Sequence, residues 1–106
     1  MNVHIYKGAV GKSVVFEELL MKKDTLGFVY FKENRPHPRH IGGVYMVPYD
    51  LVKAEEFMEC LMELLTDKIE YVIIYTNCTE AETQELKDVL TKYKDYRTVI
   101  LMCKED

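Results

Sequence analysis

The 106-residue chain is poor in the features that mark many functional classes. It has three cysteines, Cys60, Cys78 and Cys103, with no CxxC pair and no regular spacing. That excludes a disulfide framework and a cysteine-rich zinc module, and it fits reduced thiols in a cytoplasmic protein. No apolar run approaches the ~18 residues that a membrane-spanning helix needs. Residues 1–6 lack the basic head and long apolar core of a secretory leader and read instead as a strand. Charge of one sign is also lacking: the net value is −4 with acids and bases interleaved, so no basic footprint for nucleic acid is indicated. There is no internal repeat, low-complexity tract or linker, and the chain is expected to form one domain, 1–106.

What is present is a globular balance, 48% hydrophobic and 30% charged, enough to build a core without staples. Strand and helix patterns alternate. Residues 2–6 read as a strand with β-branched Val3 and Ile5, and Gly8 and Gly11 mark a turn. Residues 12–23 read as a helix with Phe16, Val15, Leu19 and Leu20 inward. Residues 26–32 form a second strand and 43–47 a short one stopped by Pro48. Asp50 is the expected N-cap of a helix whose Ala54, Phe57, Met58, Leu61, Leu64 and Leu65 make one apolar stripe. Glu55, Glu56, Glu59 and Glu63 lie away from that stripe.

Residues 71–75 are nearly all apolar, as in a strand covered on both faces. Thr79-Glu80-Ala81-Glu82 is a capping box opening a helix with Leu86, Val89, Leu90 and Tyr93 on one side. Residues 98–102 are a last buried strand. The pattern predicts an α/β fold of three layers: a mainly parallel sheet of four to five strands with helices on both faces. Strand 43–47 is expected to be antiparallel or a side extension, because residues 32–43 are too few for a helical crossover.

One segment carries a mechanism. Gly8-Ala9-Val10-Gly11-Lys12-Ser13 follows a strand and opens a helix. Glycines let backbone amides curl around phosphate oxygens, and the helix N-terminus adds partial positive charge. The segment resembles the phosphate loop of the P-loop nucleoside triphosphatases, GxxxxGK[ST]. Gly11, Lys12 and Ser13 match; the family's first glycine falls at Tyr6, and Gly8 opens the turn later. The resemblance implies a P-loop or Rossmann-like fold that binds ATP or GTP with magnesium. Lys12 would meet the outer phosphates and Ser13 the metal. It also implies an acid after a buried strand, where this chain has Thr76 and Asn77. Those two are the expected far-side residues; they can bond a water but bring no charge, which argues against hydrolysis by this chain alone. Asp50 is a conceivable substitute acid beside its N-cap role. The alternative reading is a non-catalytic adaptor or regulator that keeps the frame and acts through protein contacts.

Weaker signals have plainer readings. His37 and His40, with Arg35 and Arg39, read as a solvated loop before a metal site or anion grip. Cys78 stands where α/β folds place ligands, yet a catalytic thiol needs a base beside it. Tyr71 and Tyr75 share a face. Met58 and Met62 read as core filler, and Cys60 and Cys103 as buried or incidental.

Overall fold

The computed structural model describes residues 1–7, 16, 18–22, 24–31, 44–48 and 52–104. Among the described residues there are five strands: β1 (Asn2–Tyr6), β2 (Thr25–Phe31), β3 (Val44–Pro48), β4 (Tyr71–Thr79) and β5 (Thr98–Lys104). Two helices separate the later ones, α1 (Ala54–Leu64) and α2 (Gln84–Lys92). The strands form one sheet in the order β1-β5-β4-β2-β3, and every neighbouring pair is parallel.

The two faces follow from the period of two along each strand. Leu26, Phe28 and Tyr30 of β2, Val72 and Ile74 of β4, and Val99, Leu101 and Cys103 of β5 point to one face. There they meet Ala54, Phe57, Met58 and Leu61 of α1 and Leu86 and Leu90 of α2. Spacings of three and four put these helix residues on one stripe, while Glu55, Glu56, Glu59 and Glu63 stay exposed. Burial of each large apolar side chain contributes about 1.5–3 kcal/mol. Val29, Ile73 and Met102 point to the opposite face. They pack under Phe16, with Leu19 and Leu20 of the helical residues 18–20 beside them.

Direction along the sheet correlates with face. The step from β1 to β2 runs one way, and its described residues cover the second face. The steps β3 to β4 and β4 to β5 run back, and their helices cover the first. A single hand of crossover requires this division.

Three expectations need correction. Strand β3 is parallel to β2, pairing Gly27 with Val44 through Phe31 with Pro48. Twelve residues, 32–43, are enough for a return whatever their conformation, since a chain of that length can reach about 40 Å at ~3.3 Å per residue. Pro48 is the last residue of β3, at a sheet edge, where a missing N–H costs no ladder bond. Helix α1 starts later than expected: Lys53 is its N-cap, extended and without a side-chain cap bond, and Asp50 lies outside the described residues.

Strand β4 runs to Thr79, four residues beyond its apolar core. Cys60 is exposed, whereas Cys78 and Cys103 are buried; all three are free thiols. No helix among the described residues is long and apolar enough to cross a membrane.

Candidate functional site at the carboxyl end of the sheet

Because all five strands are parallel, their carboxyl ends share one edge, the place where such sheets gather ligand-binding loops. Strand β1 arrives there at Tyr6, whose side chain packs on the second face with Phe16. Gly8, Ala9, Val10, Gly11, Lys12 and Ser13 lie outside the described residues, as do His37, His40, Arg35 and Arg39. Their flanks are placed. Lys7 stands at the end of β1, and the ring of Phe16 lies 5.3 Å from that of Tyr75 on β4.

Thr76 and Asn77 do reach this edge, but not beside β1. Strand β5 lies between β1 and β4, so the two ends are separated by two strand spacings, about 10 Å. Between Tyr75–Met102 and Thr79–Lys104 the chain takes four steps on β4 against two on β5. The surplus is a β-bulge at Thr76–Cys78, a device that bends a strand end and re-aims its side chains. The buried Thr76 hydroxyl accepts the Cys78 N–H at 3.0 Å, a local turn that holds the bulge. Asn77 is half-buried, with the Cys78 thiol 3.8 Å from its Oδ1. Cys78 itself has no exposed surface, which sets it apart from a solvent-reached nucleophile.

After the bulge the chain turns on the capping box. The Thr79 N–H donates to Glu82 Oε1 at 3.1 Å, and the Glu82 N–H donates to Thr79 Oγ1 at 3.3 Å. The reciprocal bonds match the sequence signature. The Thr83 hydroxyl donates to the carbonyls of Thr79 and Glu80, and α2 proper begins at Gln84.

Glu80, inside this turn, escaped the sequence reading. Its Oε2 receives Lys7 Nζ at 2.8 Å and its Oε1 receives Lys87 Nζ at 3.3 Å. Lys7, then Lys87, hold the carboxyl below its ordinary pKa, so it is ionised at neutral pH. In sequence Glu80 is a spacer within Thr-Glu-Ala-Glu, and only the strand order β1-β5-β4 brings it to Lys7. By its pattern the strand reads as ending at residue 75, so nothing in the sequence puts Glu80 at a strand end.

A second feature lies on the helix-covered side. The chain leaves β2 toward β3 and leaves β4 toward β5, in opposite directions, and such divergence opens a crevice. A cavity of about 260 Å³ is lined there by Tyr30, Val52, Lys53, Ala54, Glu82, Glu85 and Leu86. Glu82 is already engaged by Thr79, and the Tyr30 hydroxyl donates to the Val52 carbonyl at 3.1 Å. The volume falls just below the ~300 Å³ at which ligand pockets usually begin. Among the described residues no group of three His, Cys, Asp or Glu is placed to hold a metal.

Compared with models of known protein families, with curated proteins and with solved structures, the chain matches none.

Proposed function

We propose that this chain binds a nucleoside triphosphate, ATP or GTP, together with magnesium at the carboxyl end of its sheet. The observation that carries the reading is the Lys7–Glu80 ion pair, 2.8 Å long, at the threshold of Gly8–Ser13. With Lys87 it puts an ionised carboxylate and two lysines at the residue that leads into a segment whose residue types suit phosphate. Gly8, Gly11 and the backbone amides of Ala9 and Val10 would cradle phosphate oxygens. Lys12 would neutralise the outer phosphates. Ser13 would offer its hydroxyl to magnesium, which takes few protein ligands and completes its shell with phosphate oxygens and water. Glu80 would exchange one of its lysine partners for a metal-bound water, supplying the charge that Thr76 and Asn77 lack. Hydrolysis is not part of the proposal.

Thermal melting tests it. A ligand that binds only the folded chain at a hundredfold excess over its dissociation constant adds about 2.7 kcal/mol. For a domain of this size that raises the midpoint by roughly 10 °C or more. Magnesium with ATP or GTP should produce such a rise, and Lys12→Ala should abolish it. No shift with either triphosphate or its diphosphate, at millimolar concentration, removes the reading.

A second reading, a non-catalytic adaptor acting through protein contacts, draws on the opposite edge. Met21 (85% exposed), Tyr96 (67%) and Tyr71 (39%) belong to turns and strand starts at the amino end of the sheet. Large apolar side chains left in water there are what a partner would cover. Under this reading Met21→Ser with Tyr96→Ser abolishes partner capture and leaves any nucleotide shift intact.

A further inference from the structure

The inner strands of the sheet have both backbone edges paired, but among the described residues β1 has only one neighbour, β5. The Asn2 N–H donates to the Arg97 carbonyl, and Asn2 pairs with Thr98 in register. In a parallel ladder a residue's N–H and C=O point to the same side, and sides alternate along the strand. Asn2, His4 and Tyr6 therefore turn their backbone groups to β5. Val3 and Ile5 turn theirs outward, where nothing among the described residues pairs with them.

Among the described residues that edge lacks the usual protection. Native edge strands carry charges, proline or bulges that deter another strand. Asn2-Val3-His4-Ile5-Tyr6 has no formal charge, no proline and an unbroken register with β5. Its apolar residues are also under-covered. Val3 and Ile5 are half-buried, whereas their counterparts Val72, Ile74, Val99 and Leu101 on the inner strands have no exposed surface.

We propose that β1 pairs with β1 of a second copy, antiparallel about a two-fold axis at His4, joining two five-stranded sheets edge to edge. The hydrogen-bond count selects this register. With His4 facing His4 as a non-hydrogen-bonded pair, Val3 faces Ile5 of the other copy on each side of the axis. Each of those facing pairs exchanges two bonds, so all four outward N–H groups and all four outward C=O groups are satisfied. A one-residue slip would bring Val3 and Ile5 opposite inward-facing groups and satisfy none of them. The same patch is used on both copies, so the assembly closes at two. Pairing also carries Val3 and Ile5 further from water. The strand is short, so the dimer depends on concentration.

His4 is exposed, which makes it a test position that leaves the core alone. In sedimentation equilibrium of the full chain, without nucleotide, the mass should rise toward twice the monomer at about 100 µM, in keeping with a micromolar dissociation constant. Across the axis the two residue-4 side chains are neighbours, with Cα atoms about 4.5 Å apart. His4→Lys and His4→Glu should each weaken self-association at least tenfold, and mixing the two should restore a heterodimer. His4→Cys should cross-link as a dimer on mild oxidation in a Cys60→Ser background. Circular dichroism identical to the parent shows that each variant is folded. A chain monomeric at that concentration overturns the proposal. So does a dimer indifferent to Lys or Glu at position 4, or growth into open polymers. Nucleotide binding, read at Lys12, stands or falls separately.

Discussion

Arg97 should be the most damaging polar residue to replace. It opens β5 from the amino edge and is buried. Its Nε donates to the Ile69 carbonyl at 2.6 Å and its Nη2 to the Thr66 carbonyl at 2.8 Å. Its Nη1 meets Asp95 Oδ2 at 2.7 Å, and Tyr96 lies under the guanidinium, 5.0 Å from ring to Cζ. Arg97→Met keeps the apolar stem and removes every donor. The Ile69 carbonyl loses its partner at about 1 kcal/mol or more, and the Thr66 carbonyl, which keeps the Ile69 N–H at 3.0 Å, loses less. Breaking one side of a fully buried ion pair costs about 3–5 kcal/mol. Asp95 keeps the Arg97 backbone N–H at 2.8 Å and some contact with water, so its share falls below that range.

The total comes to about 4 kcal/mol, against about 5–15 kcal/mol for a whole domain. Urea unfolding should show the midpoint fall with an unchanged slope. The melting temperature should drop by roughly 15–25 °C. Arg97→Lys should lose an intermediate amount, because one ammonium cannot serve three acceptors in a fixed fork. A loss under about 1 kcal/mol for Arg97→Met, or a lysine variant as stable as the parent, would refute the reasoning: water would then be replacing the guanidinium at no cost.

Three further outcomes are expected. A Cβ added at Gly27 would overlap Leu20 Cδ2, so Gly27→Ala should cost about 1–3 kcal/mol by overpacking, and adding Leu20→Ala should recover part of it. Thr79→Ala removes the acceptor of the capping box and should cost about 1 kcal/mol in urea unfolding, with Thr79→Ser close to neutral. Glu80, held below its ordinary pKa by Lys7 and then Lys87, stabilises the fold at pH values above the usual carboxylate range. That contribution is lost as pH falls through the lowered value. Lys7→Met and Lys87→Met should each raise the pKa read from its carboxyl carbon shift, Lys7→Met by more, and equal titration in both variants would contradict the ion-pair geometry.

The elements were largely legible in the sequence because each is decided locally. Tyr71–Tyr75 and Thr98–Met102 are continuous apolar runs and become the sheet's centre, with Val72, Ile73, Ile74, Val99 and Leu101 fully buried. The stripe Ala54–Phe57–Met58–Leu61 and the box Thr79–Glu82 also form as their spacing requires. Lateral order was not legible, because any apolar strand can pair with any other. A partial signal existed: β1 alternates polar Asn2 and His4 with Val3 and Ile5, the pattern of a strand with one face in water, whereas β4 does not. The direction of β3 was misjudged because crossover length was equated with helix length. The bulge at Thr76–Cys78 and the approach of Glu80 to Lys7 depend on register across three strands, which no local pattern encodes.

The two ends of the sheet do different work, and the parallel topology is why. At the amino edge the chain is pinned. Arg97 ties β5 to the turn before β4, the Asp24 carbonyl receives the N–H groups of Glu70 and Tyr71, and the Glu70 carbonyl receives that of Thr98. The Met1 amino group reaches the carbonyls of Leu90 and Tyr93 at the end of α2, fixing where β1 begins. With β1, β2, β4 and β5 held at that end, the other end can depart from ladder geometry at low cost: two surplus residues enter β4 at Thr76–Cys78 without disturbing the register from Tyr71 to Tyr75. A parallel sheet built this way places its irregular, ligand-capable backbone and its charged side chains, Lys7, Glu80 and Lys87, at the same edge. The proposed phosphate ligand rests on that convergence together with the residue types of Gly8–Ser13.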